Sequence, residues 1–181
     1  MKKLLIVVDY QNDFVTGALG FDAAVKIEDR IVEKIQEYRQ MGEDGEVIFT
    51  MDTHEEDYME TVEGKNLPVP HCLEDGEGWT LYGKVAEMAE VGDKMFCKPT
   101  FPSYDLAEYL RERAYMYESV EFAGVVTNIC VISNAMIAKA ALPEVPVIVD
   151  AACCAGVTPE SHRTALQAMK MCQIKVINED V

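Results

Sequence analysis

Five consecutive aliphatic residues, Leu4–Val8, run directly into an acid, Asp9. A strand with no polar face has both faces covered, the usual situation in a parallel sheet held between layers of helices. The pattern recurs along the chain. Val47–Met51, Met95–Cys97, Val120–Val126, Val145–Val149 and Ile174–Ile177 read as further strands. Helical spacing fills the intervals. Ile27, Ile31, Ile35 and Tyr38 share one face before Gly42, and Ala107–Tyr115 and Ile129–Leu142 follow. Thr158-Pro159 supplies an N-cap and a proline at the first helical position, opening Glu160–Cys172. Alternating strands and helices predict an α/β fold, a parallel sheet with helices on both faces and right-handed crossovers.

A chain of 181 residues suits one domain, here residues 1–181, and 49% apolar with 27% charged residues is a globular balance. Sixteen Lys and Arg against thirty-two Asp and Glu leave a formal charge of −16. That excess argues against nucleic acid and anionic membrane surfaces as partners. The opening apolar run is shorter than the about 7–15 residues of a signal peptide. No run approaches the about 18 residues of a membrane span. The six cysteines, Cys72, Cys97, Cys130, Cys153, Cys154 and Cys172, have no CxxC spacing. Reduced thiols in a cytoplasmic protein are the expectation.

Parallel sheets bind ligands beyond the carboxyl ends of their strands. The residues there are Asp9, Asp52-Thr53-His54, Lys98, Thr127–Cys130 and Asp150. Cys130 follows a strand and opens a predicted helix, where the helix dipole and free N–H groups favour thiolate and can hold an oxyanion. Its plain alternative is a small buried hydrophobe. Asp9 ending an apolar strand is costly unless paired or useful, and otherwise serves as a cap. Lys98 can pair with it and favour a thiolate, or can snorkel to the surface. Together the three make a nucleophile, a base and an orienting cation.

Asp52 and His54 point the same way on an extended segment, and His71 follows the stiff Pro68-Val69-Pro70. Two imidazoles and a carboxylate suit a divalent metal, zinc, or iron or manganese with added water. Glu63 is the candidate fourth ligand, with Glu55, Glu56 and Asp57 as rivals, and the acidic run also fits a solvated loop. His162 reads as surface or structural, Cys72 as pointing away from the site, and Cys153-Cys154 as packing.

At these residues the chain resembles the isochorismatase-like cysteine hydrolases, and among them the nicotinamidases. Leu-Ile-Val-Val-Asp9-Tyr-Gln-Asn-Asp13-Phe14 resembles the family's first strand and acid. Asp52-Thr-His54 with Pro70-His71 resembles its metal segment, Lys98-Pro-Thr-Phe101 its lysine segment, and Gly124-Val-Val-Thr-Asn-Ile-Cys130 its nucleophile segment. The stretch Phe101–Leu106 is shorter than the family's equivalent. The resemblance implies a three-layer α/β/α, doubly wound sheet of six parallel strands. It implies a triad of Asp9, Lys98 and Cys130. A cis Val125-Val126 peptide would make the Val126 and Cys130 N–H groups an oxyanion hole. Asp52, His54, Glu63 and His71 would hold the metal, and Phe14, Leu67 and Phe101 would wall the substrate ring. The implied activity is hydrolysis of nicotinamide to nicotinate and ammonia by a homo-oligomer. The alternatives are another small amide, N-carbamoyl or ureido, isochorismate cleavage on the same fold, or a non-catalytic, metal-stabilised binding domain.

Overall fold

The computed structural model describes residues 1–179. Six strands form one sheet: β1 (Lys2–Val8), β2 (Gly45–Asp52), β3 (Lys94–Lys98), β4 (Tyr117–Val125), β5 (Val147–Ala155) and β6 (Lys175–Ile177). Their order is β3-β2-β1-β4-β5-β6, and every pairing is parallel. The chain therefore winds outward from β1 in one direction and from β4 in the other. The carboxyl ends of β1 and β4 lie side by side at the reversal, where such sheets open a crevice.

Among the described residues, eight α-helices accompany the strands. Four are short: α1 (Asn12–Val15), α2 (Asp22–Lys26), α4 (Val62–Asn66) and α5 (Gly83–Met88). The others are α3 (Glu28–Gln40), α6 (Tyr104–Glu112), α7 (Ile132–Ala141) and α8 (Pro159–Met171). Alternate residues of β1 face opposite cores, as the period of two requires. Leu4, Ile6 and Val8 join Leu106, Leu110, Ala135, Leu166 and Met169 of α6–α8. Leu5 and Val7 join Ile31, Ile35 and Tyr38 of α3 and Val85 of α5. This sandwich explains the unbroken aliphatic run of β1. Gly124 lets β4 approach β1 closely: it adopts φ +115°, and a Cβ there would meet the Val8 carbonyl oxygen at 2.2 Å.

The expected strands all form, with one substantial difference in extent. Val145–Val149 is the expectation for the fifth strand, but β5 runs through Ala155. Phe122 pairs with Val149 and Gly124 with Cys154, so residues 150–153 bulge opposite Ala123. Asp150 consequently sits within the strand rather than beyond it, and Cys153 and Cys154 are strand residues packed in opposite cores. The short helices carry too few periodic residues to stand out in the sequence.

Asp150 belongs to a buried polar cluster beneath α3. Lys34 Nζ lies 2.9 Å from Asp150 Oδ2 and 3.0 Å from Glu121 Oε1. The Tyr38 hydroxyl donates to Glu121 Oε2 at 2.7 Å, and Asn178 donates to Asp150 at 3.0 Å. Removing one member of such a group leaves an uncompensated buried charge. Lys34→Met is expected to lower stability by about 3 kcal/mol, read from denaturant unfolding. A variant as stable as the parent would show that the two carboxylates do not need this cation.

Candidate active site

Asp9, Lys98 and Cys130 come from three strand ends and meet in the crevice. Asp9 follows β1 with φ +47°, a left-handed turn that directs the side chain across the sheet end. Its backbone N–H donates to the Thr50 carbonyl at 3.1 Å, and the Thr50 hydroxyl donates to Asp9 Oδ1 at 2.6 Å. Lys98 is the last residue of β3 and is only 1% exposed. Its ammonium lies 2.6 Å from Asp9 Oδ2, 3.2 Å from Asp52 Oδ1 and 3.6 Å from Cys130 Sγ. Asp9 Oδ2 has no aligned donor despite that ammonium, because the pair is close without the angle of a hydrogen bond. This oxygen is buried beside the ammonium.

The thiol differs from its sequence expectation. Cys130 does not open a regular α-helix. It lies in a wide π-helical turn, Thr127–Val131, that precedes α7. The Ile129 and Val131 N–H groups both donate to the Val126 carbonyl, at 2.9 and 3.1 Å. Burial pushes the Cys130 thiol well above its ordinary range, the Asp9 carboxylate raises it further, and Lys98 offsets part of the rise. Burial and the Asp9 carboxylate thus oppose the thiolate that a helix terminus would favour, while Lys98 supports it. Burial also raises the Asp9 carboxyl, with Lys98 and Thr50 opposing and Asp52 adding to the rise. The peptide between Val125 and Val126 is cis.

The second half of the site is a ring of four donors. His54 Nε2 lies 3.0 Å and His71 Nε2 3.3 Å from Asp52 Oδ2. Glu63 Oε1 lies 3.6 and 3.8 Å from the same two nitrogens. Four ligands at zinc distances form a tetrahedron with edges of about 3.4 Å, and these separations bracket that value. The His71 Nδ1 hydrogen bonds to the Val69 carbonyl at 2.8 Å, which leaves Nε2 to face the ring. Burial and the nearby Asp52 carboxylate push Glu63 up, as expected of acids drawn together for a cation to share. Lys98 pairs with Asp9 and Asp52, so the Glu63 carboxylate brings the ring a charge that a divalent cation would balance. Among the rivals, Glu55 and Asp57 line the adjoining cavity instead.

That cavity encloses about 800 Å³ and is lined by His54, Glu63, Leu67, Lys98 and Phe101 among others. Leu67 and Phe101 are 37% and 41% exposed, high for large apolar side chains, so they offer it an apolar wall. Asp9 and Cys130 are not among its lining residues, and Lys98, which contacts both, is. Phe14 is 6% exposed and packs edge-on against the His71 ring, with centroids 5.5 Å apart. Cys72 is fully buried in the core.

Several supporting residues were not legible as such in the sequence. Gln11 is fully buried, donates to the Asp52 carbonyl at 2.8 Å and accepts from the Asp52 N–H at 2.8 Å. Asp13 accepts from the Cys72 N–H at 2.8 Å, holding the left-handed turn beside His71. Tyr58 packs edge-on against both imidazoles, at 4.7 and 5.1 Å. His162, read as surface or structural, is half-buried, and its Nδ1 lies 2.9 Å from the buried Thr127 hydroxyl. Gln11 and Asp13 fall within the segment that carries the resemblance, but nothing in their spacing announces what they hold.

The isochorismatase domain family matches residues 3–180, and the chain belongs to that family of hydrolases. It is 33% identical over 147 residues to the isochorismatase family protein PncA of Bacillus subtilis (strain 168), covering 75% of this chain and 78% of that protein. A crystal structure of a nicotinamidase from Bacillus subtilis superposes with a TM-score of 0.84 at 30% identity, covering 98% of this chain and 100% of the other. A pyrazinamidase of Pyrococcus horikoshii in complex with zinc superposes with a TM-score of 0.83 at 26% identity, covering 98% and 99%.

Two outcomes are expected from this geometry. At neutral pH and without substrate, iodoacetamide labels the exposed Cys97 and Cys172 ahead of Cys130, as peptide mapping would report. Earliest labelling at Cys130 would contradict a thiol shielded by burial. Zinc binds once per chain and raises Tm, since a ligand of the native state stabilises it. His71→Ala loses that response in calorimetry. A zinc response that survives the substitution would place the ion elsewhere.

Proposed function

We propose that this hydrolase cleaves the carboxamide of nicotinamide, releasing nicotinate and ammonia through a thioester on Cys130. The observation that carries the reading is the meeting of Asp9, Lys98 and Cys130 beside a four-donor ring, with an apolar-walled cavity adjoining. The similarity to a nicotinamidase and a pyrazinamidase supports the substrate class.

In this reading Asp9 Oδ2 takes the Cys130 proton as the sulfur forms its bond to the amide carbon. The thiolate then forms only as sulfur bonds to carbon, which reconciles a thiol raised by burial with nucleophilic catalysis. The carbonyl oxygen gains the negative charge, and the Val126 and Cys130 N–H groups are the donors assigned to it. A donor of this kind is worth about 2.7–4 kcal/mol in the transition state. The carbon–nitrogen bond breaks as Asp9 returns the proton to the leaving nitrogen, which departs as ammonia. Water gives a proton to Asp9 and its oxygen bonds to the thioester carbon. The carbon–sulfur bond then breaks, and the thiol is restored from Asp9. Lys98 keeps Asp9 anionic between steps and balances charge as it moves to sulfur and back.

Asp52, His54, Glu63 and His71 would hold the divalent ion, with zinc favoured by the donor set. When bound, the ion would supply a Lewis-acidic anchor for the pyridine nitrogen, directly or through a water. Leu67 and Phe101 would cover the ring's faces, and Phe14 would support it through His71.

Ammonia release is expected from nicotinamide and pyrazinamide in preference to N-carbamoyl amino acids. Cys130→Ala is expected to reduce it by at least about 10³-fold while leaving the unfolding transition in place. Turnover retained in that variant would reject the thioester route. A clear preference for N-carbamoyl substrates would reject the pyridine-carboxamide assignment.

A further inference from the structure

Asn134 is fully buried two residues into α7, and its amide makes three hydrogen bonds to two separate parts of the chain. Nδ2 donates to the Cys130 carbonyl at 2.9 Å and to the Phe101 carbonyl at 3.0 Å. Oδ1 accepts from the Ser103 N–H at 2.9 Å. Residues 99–103 form the connection from β3 to α6. At one end of it Lys98 turns back, its ammonium donating to the Thr100 carbonyl at 3.2 Å. At the other end Ser103 caps α6, its hydroxyl accepting from the Leu106 N–H at 3.1 Å. Phe101 lies between, half in the cavity.

One amide thus joins the turn that carries the thiol to the loop that carries the ammonium's backbone acceptor and the cavity wall. A buried asparagine could have satisfied itself within its own helix. Here two of its three bonds leave the helix for the loop that leads into α6, the helix packed in the same core beside α7. The separation between Cys130 Sγ and Lys98 Nζ, 3.6 Å, spans the same gap. No strand pairing fixes that gap, because β3 and β4 are separated in the sheet by β2 and β1.

Building on the proposed thioester chemistry, we infer that Asn134 is a positioning residue that sets the spacing of the Cys130 thiol from the Lys98 ammonium and holds Phe101 against the substrate. It touches no reacting atom. Its action is geometric, and displacements of about 1 Å can cost about 10²-fold in rate.

The test compares the parent with Asn134→Ala and Asn134→Thr. The threonine hydroxyl can still donate to the carbonyl four residues back, here that of Cys130, but it is too short to reach the loop. Each variant is assayed for kcat and KM on nicotinamide, for the pH dependence of Cys130 alkylation without substrate, and for Tm. Both are expected to lose kcat by about 10–100-fold, because both lose the tie to the loop. The alkylation midpoint of Cys130 is expected to move to higher pH as the ammonium recedes from the sulfur. Folded variants with parental kcat and an unmoved alkylation midpoint would overturn the assignment. So would failure of both variants to fold, which would mark Asn134 as structural. A parent that turns over no amide would reject the proposed function, while the alkylation profiles would still report on Asn134.

Discussion

The buried ammonium of Lys98 is the interaction on which the site depends. It stands between Asp9 and Asp52 and within reach of Cys130. Burial alone would strip its charge, but Asp9 first, and Asp52 with it, hold its pKa above the ordinary value. A buried ion pair contributes little to stability once desolvation is counted. Its value here is organisational. Asp52 offers one oxygen to Lys98 and the other to both imidazoles, so the acid–thiol cluster and the donor ring share a single carboxylate. Movement of Lys98 would therefore be felt in both halves.

Those groups are held mainly through the backbone. Gln11 brackets both backbone groups of Asp52, Asp13 fixes the turn beside His71, Thr50 orients Asp9, and Asn134 ties the lysine loop to the nucleophile turn. Each of these connects segments that are distant in sequence. The arrangement follows from the sheet order. Strand pairing places the ends of β1 and β4 side by side, whereas β3 lies two strands from β1. Lys98 must reach across, and side-chain ties supply the precision that strand pairing does not.

A second buried charge cluster, Lys34 with Glu121 and Asp150, lies under α3 away from the crevice. It shows how local backbone changes reassign a residue. Asp150 looks like a strand-end acid when the fifth strand is read as ending at Val149. The bulge at residues 150–153 prolongs the strand and turns that acid inward to a lysine. Aliphatic periodicity could not reveal this, because the prolonged segment is Ala- and Cys-rich and a bulge suspends the alternation.

The sequence by itself determined the layered architecture. Runs such as Leu4–Val8 have no polar face, so only a sheet covered on both sides can bury them. It also determined which chemical groups stand at the strand ends, because strand termini are visible where aliphatic runs stop. Only the tertiary structure decided how those groups behave. Burial and the facing Asp9 carboxylate push the Cys130 thiol up, and Lys98 offsets part of the rise. Glu63, rather than Glu55 or Asp57, faces the two histidines because the short helix α4 carries it back over them. Burial, distance and angle between segments far apart in the chain set charge and reactivity, and none of these is a property of local order along the sequence.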